Sequence, residues 1–170
     1  MDERLAKYRD ELIGQHGLVP KFADEAVHTA TVLAVLRDPG NPGAKKSGKC
    51  SIDNDDPTAR RQKKIINEVG IDRTEIVFWN FFASYGAGKD RGVVSQEKWA
   101  DELGGLIELM PNLEVILVFG TEAWQGMRFV KLKKSINLIA APHPSNLGVL
   151  RPGAEDRLKR AWERAERIIH

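Results

Sequence analysis

Four short apolar runs punctuate the chain, at residues 31–36, 75–79, 115–119 and 136–141. Each is rich in Val, Ile, Leu and aromatics with little polar alternation, the pattern of strands covered on both faces of a parallel sheet. Between them the apolar spacing becomes helical, over 57–69, 95–109 and 122–132. Asp56 stands as N-cap of the first of these, Pro57 at its first helical position and Gly70 just beyond its end. Toward the C-terminus Leu158, Ala161, Trp162, Ala165, Ile168 and Ile169 share one stripe, with Arg157, Lys159, Arg160 and Glu163 off it, which predicts a helix packed on the sheet. Another helix is expected over 2–13, broken by the 14–20 segment. Strands alternating with helices predict one three-layer α/β/α domain over residues 1–170, with a central four-stranded, mainly parallel sheet.

Composition narrows the class without naming it. Hydrophobic residues make up 42% of the 170 and charged residues 29%, as in globular proteins, and no apolar stretch is long enough to span a membrane. The charged start, Met1-Asp2-Glu3-Arg4, lacks the pattern of a secretory signal, so a cytoplasmic location is expected. The single cysteine, Cys50, excludes an internal disulfide and any four-cysteine metal cage. A net charge of +2 is compatible with nucleic-acid binding but does not demand it.

Ligands of such sheets bind beyond the carboxyl ends of the strands. The connections to inspect are therefore 37–56, 80–94, 120–121 and 142–152. The first exceeds the usual connection of about 2 to 6 residues in α/β units. Within it, Gly43-Ala44-Lys45-Lys46-Ser47-Gly48-Lys49-Cys50 nearly fits a phosphate-binding loop. It has Cys50 where a magnesium-binding hydroxyl belongs, a turn over 51–56 where a helix should start, and the 38–42 segment intervening between the preceding strand and its first glycine. Lys45, Lys46 and Lys49 are read more simply as contacts to a nucleic-acid backbone, and a nucleotide-binding enzyme remains an alternative.

Two further loops are more specific. Arg37-Asp38-Pro39-Gly40 follows the first strand, His143-Pro144-Ser145-Asn146-Leu147 follows the fourth, and Asn80 closes the second. In this order and at these strand ends, the chain from about residue 31 to 151 resembles the uracil-DNA glycosylase superfamily, whose first motif sets an acidic or amide residue before proline and whose second begins His-Pro-Ser. Leu147 and Arg151 match the spacing of a leucine and an arginine in the best-known branch. The 53–59 segment with Trp79-Asn80 is similar to a bacterial group of the superfamily.

That resemblance implies excision of uracil or another deaminated base flipped out of DNA, with DNA as partner, no cofactor or metal, and a monomer. Asp38 would orient water and stabilise the sugar cation, and a neutral His143 would donate to the base carbonyl as negative charge grows there. Asn80 would accept from uracil N3–H and donate to O4. Pro39 and Gly40 would border the base, and Leu147 would wedge into the vacated stack while Ser145 and Arg151 hold phosphate. Gly40 replaces a tyrosine of one branch, which opens the pocket floor; Ala83 replaces a proline. Lys49 and Cys50 occupy the place of the base-stacking aromatic, leaving Phe81, Phe82 or Tyr85 as candidates. Arg37 adds a charge that either lowers the Asp38 pKa or faces solvent. A relative that binds lesions without hydrolysing them is the second reading. A serine hydrolase is disfavoured because Ser145 lacks a nucleophile-elbow glycine pattern. The 53–56 acidic run is read as helix capping rather than calcium binding.

Overall fold

The computed structural model describes residues 3–23, 26–40 and 43–170, with Ala26 described in its backbone only. Asp2, Asn41 and Pro42 lie outside the described residues. The strands are β1 (Lys21–Phe22), β2 (Val32–Leu36), β3 (Lys49–Cys50), β4 (Ile76–Asn80), β5 (Val115–Phe119) and β6 (Asn137–Ala141). The helices are α1 (Glu3–His16), α2 (Gly43–Ser47), α3 (Pro57–Val69), α4 (Val93–Glu108), α5 (Thr121–Met127), α6 (Asn146–Val149) and α7 (Ala154–Ile169).

The main sheet has the order β4-β2-β5-β6 and all its pairs are parallel. Helices α3 and α7 pack together on one face, and α4 meets α1 and α5 on the other. The order in which strands are added reverses at β2, with β4 on one side of it and β5 on the other, so the carboxyl ends of the strands frame a crevice. Strands β2, β4 and β5 are buried almost throughout. On the α7 side, Trp162 is fully buried with its ring 6.2 Å from Phe78 and 5.8 Å from Phe119. On the other side Phe82 meets Phe81 and Trp99 edge-on. Among the described residues, no helix is long and apolar enough to cross a membrane.

Four local expectations change. β6 is not covered on both faces: as an edge strand it exposes Asn137 and Ala140 and buries Ile139 and Ala141. Gly14 does not break α1, which runs to His16 because that ring lies 4.1 Å from Trp99 and its Nε2 is 3.2 Å from Glu102; Gly17, at φ 80°, ends it. α5 stops at Met127, where Phe129 and Val130 bond back three residues and tighten the chain out of the helix. A small parallel sheet of β1 and β3 was not legible, and it seats Phe22 on Trp79 with ring centroids 4.0 Å apart.

α3 keeps the boundaries its capping residues predict. Asp56 Oδ1 accepts from the Ala59 amide at 3.0 Å, and Gly70 closes the helix at φ 87°. Only Asp56 of the 53–56 run caps: Asp53 pairs with Lys63 and Arg73, and Asp55 with Arg60.

Candidate active site

The site begins where the β2–β4 ladder continues past the strands. The Phe81 amide donates to the Leu36 carbonyl and the Phe82 amide to the Arg37 carbonyl, each at 2.8 Å. These bonds tie the chain just after Asn80 to the chain just before Asp38. At the opposite end the Gly120 amide donates to the Ala141 carbonyl at 2.9 Å, which fixes the path leading into His143. Gly120 sits at φ 87°, and a Cβ there would come 3.3 Å from His143 Cβ.

Every strand of the main sheet thereby contributes to one constellation. Asp38, Pro39, Gly40, Asn80 and His143 line a single cavity of about 110 Å³, together with Cys50, Gln62, Phe78 and Trp79. β5 contributes indirectly: Glu122, in the first turn of α5, accepts from Arg37 Nη1 at 3.0 Å. Arg37 Nε in turn donates to Asp38 Oδ1 at 2.6 Å, so the half-exposed Arg37 engages the carboxylate. Arg91 also bonds Glu122, closing an Arg91–Glu122–Arg37–Asp38 chain of alternating charge. Arg37 is held protonated more firmly than usual, first by its bond to Asp38. Gly88 leaves room for Asp38: a Cβ at that position would lie 2.9 Å from Oδ2.

His143 is held in one tautomer. The Ser145 amide donates to its Nδ1 at 3.2 Å, and since a backbone N–H can only donate, Nδ1 carries no proton in this arrangement. A neutral ring then bears its proton on Nε2. Burial, reinforced by the Arg37 guanidinium, holds the imidazole pKa below its ordinary value, while Asp38 and Glu122 pull the other way. The outcome at neutral pH is an uncharged imidazole with Nε2–H as its donor.

The histidine loop is pinned from both sides. Ser145 Oγ caps α6 by accepting from the Gly148 amide at 3.2 Å. Arg61 of α3 donates to the Pro144 carbonyl at 2.5 Å and to Asn146 Oδ1 at 3.2 Å. Gly148 lies so close beneath His143 that a Cβ would sit 1.9 Å from its carbonyl oxygen. On the outer side, Leu147 and Leu150 are 80% and 74% exposed. Arg151 is exposed beside them.

Other sequence-derived candidates separate into two groups. Lys45, Lys46 and Lys49 are exposed, and their neighbours Ala44 and Cys50 line the cavity. The Gly43–Ser47 run is a short helix followed at Lys49 by a strand, not an open loop that could wrap a phosphate. Phe81 does not line the cavity, where a base-bordering role was expected of it: it is buried in the core, where a Cβ on Gly126 would strike its ring at 2.2 Å. Phe82 is equally buried, and Tyr85 donates to the Ala44 carbonyl at 2.8 Å. Phe78 and Trp79 supply the aromatic wall instead.

Several residues in or around the pocket make contacts that the sequence did not show. Cys50 Sγ accepts from Asn80 Nδ2 at 3.0 Å, and burial pushes the thiol pKa up to about 12. Gln62, Arg61, Arg91 and Glu122 looked like ordinary helix and loop polar residues. Only the first-turn position of Glu122, straight after a strand, offered a signal. The fold and site thus define an α/β protein with a polar, aromatic-walled pocket at the carboxyl ends of a parallel sheet. Compared with known proteins, the chain matches no family model and no curated protein.

Proposed function

We propose that the protein is a DNA glycosylase that hydrolyses the N-glycosidic bond of uracil or another deaminated base flipped out of DNA. The observation that carries this reading is the meeting of Asp38 with a neutral, Nε2-protonated His143 in one pocket that also holds Asn80. Breaking the bond sends its electron pair into the departing base and leaves cationic character on the sugar. His143 Nε2–H donates to the base carbonyl where the negative charge collects. Asp38 Oδ1 is engaged by Arg37, so Oδ2 is the oxygen that orients water and takes its proton as the water oxygen bonds to the sugar carbon. Exposed Leu147 fits the wedge that fills the vacated stack, and the lysines near the pocket fit phosphate contacts.

The test is base release from oligonucleotides carrying uracil, hypoxanthine or xanthine, with wild type beside Asp38→Asn and His143→Ala. Release by wild type and a loss of about 10²-fold or more in each variant is expected. Absence of release from every lesion, with lesion binding retained, refutes the enzyme and leaves a recognition protein. The Arg37 bond to Asp38 is the feature that favours this second reading, because it engages the carboxylate before substrate arrives.

A further inference from the structure

Gln62 is 1% exposed, yet it forms part of the wall of the same cavity as Asp38, Asn80 and His143. Its Oε1 accepts from Trp162 Nε1 at 2.8 Å. An indole N–H can only donate, so the amide orientation is forced: oxygen toward Trp162, nitrogen away. Nε2 is buried and has no hydrogen-bond partner among the described residues. The side chain cannot relax away from this state, because Trp162 is itself locked between Phe78 and Phe119. A buried donor left unmade is costly, and its retention in a pocket wall points to a partner that arrives from outside the protein.

Asn80 supplies the complementary clue. One N–H of its Nδ2 donates to Cys50 Sγ, and Oδ1 is available to accept from a ligand. The pocket therefore offers a donor from His143, an acceptor from Asn80 and a second donor from Gln62. That set complements an imide edge, an N–H flanked by two carbonyls. The geometry points to Gln62 as a specificity-determining residue whose Nε2–H donates to the ring carbonyl not held by His143, selecting bases with an imide edge such as uracil and xanthine. This assignment rests on the glycosylase reading of the pocket, and it moves the second carbonyl contact from Asn80 to Gln62. Cytosine presents an amino group at that position and meets donor against donor; hypoxanthine lacks the second carbonyl.

The experiment is calorimetric binding of uracil and of 4-thiouracil, which keeps the N–H but replaces the carbonyl oxygen by a poorer acceptor, to wild type and to Gln62→Met. Wild type is expected to prefer uracil by about tenfold, and Gln62→Met to weaken uracil by a similar factor while leaving 4-thiouracil nearly unchanged. A purely structural role would weaken both ligands alike, and equal losses, or no loss, overturn the assignment while sparing the pocket. Failure of wild type to bind uracil at all overturns the base-pocket reading and this assignment with it. Gln62→Glu keeps an oxygen for the Trp162 N–H, so it serves if Gln62→Met does not fold. Its ionised form is expected to lose the same preference, and an unchanged preference in that form overturns the assignment.

Discussion

Gly148→Ala is the sharpest probe of how the fold holds its histidine. The added Cβ would lie 1.9 Å from the His143 carbonyl oxygen, 2.7 Å from its carbon and 3.0 Å from its Cβ. The nearest contacts are backbone, so no flexible side-chain end can swing aside. To restore even a tight separation of 3.0 Å, the His143 carbonyl must retreat by roughly 1 Å. That movement strains two bonds already at 3.2 Å, Ser145 N–H to His143 Nδ1 and Gly148 N–H to Ser145 Oγ. The overpacking is expected to cost about 1–3 kcal/mol of stability. A displacement of about 1 Å at a reacting group is expected to lower single-turnover base release by on the order of 10²-fold. Thermal unfolding reads the first effect and release from a uracil oligonucleotide the second, while His143 ring nitrogen shifts report the tautomer independently of activity. Gly104→Ala is the control, because a Cβ at that helical position meets nothing within 4 Å. Wild-type stability, rate and ring shifts in Gly148→Ala would refute the argument that this close approach holds His143.

Four further outcomes follow from the same structure. Because His143 titrates below its ordinary value, the proposed glycosylase is expected to keep releasing base below about pH 6.5 and to fail only as pH drops through the lowered pKa. The unfolded chain binds that proton first, so His143 also makes stability fall as pH drops below about 6.5. Arg37→Met removes a positive neighbour and leaves Asp38 and Glu122, so the His143 pKa followed by proton NMR should rise; an unchanged or lower value refutes the coupling. Cys50, pushed up to about 12, should resist iodoacetamide at pH 8 in the native protein and react once unfolded, with stoichiometric native labelling as the contrary result. Asp56→Ala should cost about 1 kcal/mol, seen as a Tm drop of roughly 2–4 °C, whereas an unchanged Tm would show that the cap contributes nothing.

Local rules made much of the fold legible from the residues themselves. Continuous Val, Ile and Leu runs marked the strands of a sheet buried on both faces, and β5 occupies the residues so marked. Asp56, Pro57 and Gly70 marked both ends of α3, because a cap acts on the amides and carbonyls within its own turn. Asp38, Asn80 and His143 were legible as strand-end polar residues, and parallel strands bring such ends to one side.

Tertiary structure alone decided the rest. Gly14 could not show that His16 would stack on Trp99 and carry α1 past it, since the stabilising contact lies more than eighty residues away. Phe81 carried no mark telling core from pocket wall, because both settings use the same apolar surface and only the packing of Gly126 separates them. Gln62, Cys50, Glu122 and Arg61 acquire their importance from partners far along the chain: Trp162, Asn80, Arg37 and Pro144. Periodicity and caps are short-range and can be read along a chain, whereas the orientation of an amide or the tautomer of an imidazole depends on which donor the folded chain brings opposite it.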